Sequence, residues 1–424
     1  MKHSPSIADT AKCQVRPDPE PAARIDLLEG VRGALAFWVM IGHFLEYLGA
    51  ASLVNAGTGS LLGKAAFVAI NGEVPVLLFM IISGFVISHL VEGRRERYGI
   101  YIFRRFMRLF PAVTCCFVLG ILVNPWQSSV LPGLPWGNDF WLVNQARLAP
   151  VHREFAVQNI LAHVSMVHGL IPPSLLPEAL GAFLGPAWSI STEWQFYLIA
   201  PLAIAASKRL SGFALICALV ALLQIVFSRL RLGESMENYN AAFIAFYIQY
   251  FFIGGLSYFV WRGFHRAVSS GALGPGSPQG MAVGGAAIAF FMLVPALLGI
   301  TFGGLSLTPF LSIAVLAIWI LLFGCLCQIT AAPAGIEARI VGKIGCCRVA
   351  LFLGRISYSV YLVHFPLAVI LLRLSKPFWG IPRPAFIALF LIAGSLCTLG
   401  AASVLYRYVE APAIRWARSR SNSE

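Results

Sequence analysis

Arg32 and His43 stand eleven residues apart in the apolar stretch EGVRGALAFWVMIGHF, residues 29 to 44. On an ideal helix eleven steps make about three turns and rise roughly 16 Å, so the two side chains share one face about half a bilayer apart. An imidazole close to its neutral state can take a proton from a hydroxyl, or be acylated itself, and a guanidinium binds anions. The plainer reading has Arg32 snorkelling to the headgroups and His43 packed with one hydrogen bond. Ionisable residues inside membranes are otherwise functional by default, and at this point both readings stand.

Three further groups carry polar chemistry within apolar surroundings. In FRRFMRLFPA, Arg105 and Arg108 lie three apart on one helical face, suited either to gripping a phosphate or to anchoring the chain against anionic lipid. Arg94, Arg95 and Arg97 just before them read as a topology anchor. In PAWSISTEWQFYLIAPL, Glu193 opens an apolar span, where a bare carboxylate is costly; it needs a cation, a histidine or a proton. A pairing of Glu193 with His43 is geometrically open. In LGRISYSVYLVHFPL, Ser357, Tyr361 and His364 share a face, although a histidine beside Pro366 is as readily a packing or hinge residue. Arg407, Glu410 and Arg415 read as local pairing near the end of the chain.

The elements that position these groups follow from composition. Of 424 residues 58% are hydrophobic and 12% charged, which excludes a soluble domain and implies an all-α polytopic membrane protein. Apolar segments long enough to span occur near 30 to 49, 74 to 91, 109 to 125, 189 to 207, 212 to 229, 241 to 261, 281 to 301, 307 to 328, 356 to 373 and 384 to 406, about ten helices with no appended soluble domain. The segment 156 to 172 is ambiguous, and the basic residues decide against its crossing. Without it most Lys and Arg fall on one side; with it they divide evenly.

Positive-inside bias then puts both termini in the cytoplasm, in the cell's inner (plasma) membrane. It divides the chain into a disordered tail at 1 to 27, a transmembrane domain at 28 to 410 with a long outer loop at 126 to 188, and a second tail at 411 to 424. A loop that long is usually functional. The first residues have no apolar core and no cleavage site, so they are not a signal peptide. The formal charge of +13 sits in short loops between spans rather than in a basic domain, so no nucleic-acid partner is expected. Nine cysteines with no Cys-x-x-Cys pair imply reduced thiols and no metal site.

Taken in order, these blocks resemble membrane acyltransferase family 3, over nearly the whole chain. The family's LDGLRGxAxxxVxxxH is similar to IDLLEGVRGALAFWVMIGH, placing its arginine and histidine on Arg32 and His43. FFVLSGFLI is similar to FMIISGFVI (79 to 87, with Ser83), RRxxRxxP falls on Arg104, Arg105, Arg108 and Pro111, WSLSVEEQFY is similar to WSISTEWQFY (188 to 197), and ISYSLYLWHxP to ISYSVYLVHFP (356 to 366). This chain departs where the family has a second Glu, at Trp194, where an Asp often precedes the second block, at Leu77, and at Met80 in place of Phe.

The resemblance implies an O-acyltransferase that takes an acyl group, commonly acetyl, from cytoplasmic acyl-CoA to a hydroxyl of a cell-surface carbohydrate or a lipid-linked glycan such as an O-antigen. It implies no tightly bound cofactor. Its carry-over makes His43 the base or acyl carrier with Glu193 beside it as catalytic residues, and assigns Arg32, Arg105 and Arg108 to the donor. Ser83, Trp188, Ser191, Tyr361 and His364 become supporting or acceptor-side groups. The rival from another class is a proton-coupled transporter or export permease, whose inverted repeat is not evident in the sequence.

Overall fold

A computed structural model describes residues 25 to 49, 61 to 93, 96 to 171, 175 to 209, 242 to 271, 309 to 331 and 336 to 421, with scattered positions between 211 and 222. The described chain is helical throughout, with no strand. Its first helices are α1 (Asp26–Tyr47), α2 (Leu61–Ile70), α3 (Glu73–Gly93) and α4 (Tyr98–Val130). A region of shorter elements follows, with α5 (Phe140–Glu154) and α6 (Ala156–Val164), before α7 (Ala187–Ser207) and α8 (Ile248–Ser269). The chain closes with α9 (Pro309–Ala331), α10 (Ile336–Gly345), α11 (Arg348–Leu374), α12 (Arg383–Leu405) and α13 (Ala411–Ser421).

Among the described residues six stretches are long and apolar enough to cross a membrane: α1, α3, α4, α9, α11 and the run from α12 into α13. This is fewer than the ten expected. The helix α7 covers the expected 189 to 207, whereas α8 begins at Ile248, inside the expected 241 to 261, and runs on to Ser269; both carry more polar residues, and 281 to 301 and most of 212 to 229 lie outside the described residues. The region 126 to 188 is not a bare loop. The helix α4 runs through Pro111 and Pro125 to Val130, so Arg104, Arg105 and Arg108 lie in its first turns instead of preceding it. The nine residues of α6 rise about 14 Å, too short to span a core of about 30 Å.

The seam between α1 and α11 organises the interior. In apolar surroundings helices associate through close packing, and small residues let their backbones meet. A side chain at Gly33 would place its first carbon 2.7 Å from the backbone nitrogen of Gly354; Gly30 faces the carbonyl of Gly345, and Gly354 that of Glu29. A second seam joins α3 to α8, where Gly84 lies under the carbonyl of Phe251 and Gly254 under that of Ile81. Around these contacts the interior is filled by Val39, Met40, Phe44, Phe85, Trp319 and Val369.

The short elements between α4 and α7 pack as a cap. His168 Nε2 donates to the carbonyl of Ala187 (3.2 Å), and the Gly169 amide donates to Ser191 Oγ (3.2 Å). The His163 ring lies parallel to that of His168, centroids 3.9 Å apart, and on its other face meets Phe117. These contacts fix the start of α7. At the other end of the described residues α12 runs to Leu405. It passes through one π-helical turn, Tyr406–Glu410, and continues as α13. Six described cysteines are free as expected, whereas Cys346 is disulfide-bonded.

Candidate active site

Close approach of α1 and α11 puts His43 against His364, with Nδ1 of the first 2.8 Å from Nε2 of the second and the rings only 10° from parallel. The tautomers follow from the acceptors. His364 Nδ1 lies 3.0 Å from the carbonyl of Val360, which can only accept, so this nitrogen carries the proton. His364 Nε2 is then a lone pair that accepts from His43 Nδ1, and His43 Nε2 is left with its lone pair outward. His364 is fully buried while His43 is half-buried. The edge of His43 that bears Nε2 faces Gly72, in the link between α2 and α3, where an added side chain would begin 3.7 Å away. Glycine keeps that approach open.

The expected partner of His43, Glu193, is elsewhere. From α7 its Oε1 accepts from Ser83 Oγ on α3 (3.1 Å) and, by a short bond, from the Tyr197 hydroxyl one turn along α7. Glu193 needed a partner and found hydroxyls and the field of arginines. Arg32 lies within electrostatic range of Arg108, Glu193, Tyr197 and Glu29, and Arg108 of Glu410, Glu193 and Tyr358. The Arg32 guanidinium also sits over the Phe79 ring (5.9 Å), and that of Arg105 over Tyr197 (5.8 Å). None of these three arginines is held in a direct ion pair among the described residues. Their positive charge remains available to an anion.

Beside Arg32 is a cavity of about 50 Å³, whose wall also includes the polar residues Ser83, Glu193, Ser357 and Tyr361 and the apolar residues Val76, Phe79, Met80, Ile190 and Phe251. Its boundary towards His364 is Tyr361, whose hydroxyl pairs with Ser189 Oγ (2.7 Å) and donates to the Pro186 carbonyl (3.2 Å), and whose ring lies 6.2 Å from that of His364. Of the residues singled out in the sequence, the fold brings Arg32, Ser83, Glu193, Ser357, Tyr361 and His364 to the cavity or the histidine pair. Trp188 and Ser191 do not line the cavity. Trp188 packs on Tyr247 (5.3 Å), and Ser191 ties α7 to the Gly169 turn and to Gln195.

Two participants escaped the sequence reading. Ser189 completes the Tyr361 hydroxyl pair, and its place beside Trp188 in a recognisable block was the available signal. Glu410, read as a surface residue, is buried; it accepts from Ser359 (2.7 Å) and faces Arg108 and Arg32. The π-helical turn that carries it inward leaves no mark in the pattern of apolar residues.

A helical protein with membrane-length spans, a buried imidazole pair and an arginine cluster beside a small cavity has the parts of a membrane-embedded group-transfer enzyme. The family described as "Acyltransferase domain" matches residues 25–406, and the chain belongs to it. It is 25% identical over 187 residues to "Acyltransferase MdmB" of Streptomyces mycarofaciens, an alignment covering 43% of this chain and 40% of that protein. The chain thus spans less than half the length of this curated relative in the match. No solved structure matches it. Family membership thus favours acyl transfer over the permease alternative.

Proposed function

We propose that the chain moves an acyl group, acetyl in the simplest case, from an acyl-CoA bound on the cytoplasmic side to a hydroxyl of a carbohydrate or related acceptor that reaches His43 from the outer side. The single observation that carries this reading is the oriented His364–His43 pair, which leaves one imidazole lone pair, His43 Nε2, facing an opening kept free by Gly72. Arg32, Arg105 and Arg108 supply the cationic end suited to the donor's phosphates.

In the transfer, the acceptor oxygen attacks the thioester carbon as its proton passes to His43 Nε2. The imidazolium charge is shared with His364 through the Nδ1 hydrogen bond. When the carbon–sulfur bond breaks, the proton goes from His43 to the departing sulfur, leaving an ester and free CoA thiol. The acyl-histidine route differs only in that Nε2 itself attacks first. Glu193 acts as a positioning residue on the donor side, holding Ser83 and Tyr197 and balancing Arg32, in place of the role of orienting His43. The acceptor is a cell-surface glycan or lipid-linked glycan by family resemblance, and the curated relative's name supports acyl transfer alone.

The test is the full chain in liposomes with acetyl-CoA labelled in the acyl group and a candidate glycan. The expected result is label transferred to the glycan by the wild type and lost in His43→Ala, with unchanged membrane insertion. A correctly inserted His43→Ala protein that still transfers would overturn the assignment.

A further inference from the structure

The cavity at the site has a larger neighbour. A second space of about 400 Å³ lies between α7 and α8, lined almost wholly by apolar residues such as Ala200, Ala203, Phe252, Leu256 and Phe259. Phe251 is common to the walls of both spaces. It is 1% exposed, its ring is stacked on that of Phe196 with centroids 4.2 Å apart, and its backbone is pressed against the bare face of Gly84 in the α3–α8 seam. A side chain held this tightly cannot swing aside to join the two spaces at little cost.

We infer that Phe251 sets the acyl-chain length of the donor, by closing the small cavity next to Arg32 and Glu193 off from an apolar space that would receive a longer chain. The inference rests on the proposal that the donor enters past Arg32. About 50 Å³ is room for one or two water-sized groups, the scale of an acetyl unit. A medium-length chain has nowhere to go there, whereas the space behind Phe251 is walled mainly by apolar side chains, with Ser88, Ser207 and Lys208 as its polar lining. Selection by an apolar pocket is worth about 10-fold to 200-fold per methylene when the pocket is rigid, so one wall residue can decide chain length.

The experiment supplies acetyl-CoA and octanoyl-CoA, each labelled in the acyl group, to permeabilised membrane vesicles carrying the full chain, and reads the ratio of octanoyl to acetyl label in envelope material. Thermal protection of the purified protein by each donor gives a second readout that needs no acceptor. The wild type is expected to favour acetyl by at least about 10-fold, and Phe251→Ala to raise the octanoyl ratio by at least about 10-fold. Adding Ala203→Trp, which fills the larger space, is expected to restore the wild-type ratio. Phe251→Leu serves if the alanine variant does not insert, with an increase of about 3-fold expected from the smaller opening. A wild type that uses octanoyl as well as acetyl overturns the inference, as does an inserted, acetyl-transferring Phe251 variant whose ratio does not move. Absence of transfer and protection with every donor in the wild type would instead sink the proposed donor.

Discussion

His364 is the residue whose importance grew most on passing from sequence to structure. Its Nδ1 proton is committed to Val360 and its Nε2 lone pair to His43, so its replacement removes both the orientation of the proposed base and the group proposed to share its charge. His364→Ala is expected to lower turnover by about 10²-fold to 10⁴-fold, the range of a general-base contribution, with little change in donor affinity; steady-state kinetics with the donor varied would check it. Tyr361→Phe keeps the ring beside His364 and removes the bonds to Ser189 and Pro186, so a smaller loss of about 10-fold is expected, shared by Ser189→Ala and not doubled in the double variant. The sequence made Arg32 and His43 legible as one face because both lie on one helix. It could not show that the partner of His43 is His364 instead of Glu193. The choice depends on which helix lies against α1, and the spacing within α1 has no bearing on that.

At the scale of elements, α1 and α11 meet through glycine, and that contact sets the distance between the two imidazoles. Gly33→Leu would drive a side chain into the backbone of Gly354, where something must move. Overpacking of this kind costs typically about 1 to 3 kcal/mol, and here it also separates His43 from His364. Activity should fall much further than stability, which thermal unfolding measured beside acyl transfer would reveal. The cap behaves differently, because its histidines respond to pH. Burial lowers His152 and His163 to about 4, and His168 well below its ordinary value. Since their folded values lie below 6.5, the unfolded cap binds more protons as pH falls from about 6.5 towards 4. Docking is therefore at full strength above 6.5 and is lost over that interval, by about 3 kcal/mol for each of His152 and His163. Hydrogen-exchange protection of residues 156 to 170, taken relative to the intrinsic rate at each pH, should fall over this range before that of the spans; uniform protection down to pH 4 would contradict it. The sequence flagged 156 to 172 as polar and non-spanning for its histidines, but their stacking depends on Phe117 in α4, which periodicity cannot supply.

Across the whole molecule, apolar stretches announced a helical membrane protein, and the order of five motifs announced the family. The count of crossings was less legible. The helix α7 carries Ser189 and Glu193 into the cavity wall, and this lowers the very signal by which spans are recognised; α8 lacks that signal too, although it adds only Phe251 to that wall. Charge supplies the remaining global expectation. Glu92 on α3 holds both Lys208 at the end of α7 (2.9 Å) and Arg262 on α8 (2.5 Å), tying three helices together near one surface. Glu92→Gln leaves two cations facing each other without a counter-ion. Its effect should be small, about 1 kcal/mol or less because Lys208 is mostly exposed, and it should shrink further in high salt. On the proposed orientation a cysteine placed at exposed Arg97 is expected to react with a membrane-impermeant thiol reagent only from the cytoplasmic side, as is one at Arg415; labelling from the other side would reverse the proposed donor and acceptor ends.

The pairing of His43 with His364 has a consequence in time. The two residues are 321 positions apart in the chain, and synthesis proceeds at about 5 to 20 residues per second, so the first imidazole waits roughly 15 to 60 seconds in the membrane before its partner has been made. A chain interrupted before α11 would carry the donor-side arginines of α1 and α4 but not the relay that orients the base. Such a chain also lacks Ser357 and Tyr361 of the cavity wall, so only a completed polypeptide is expected to be a competent catalyst.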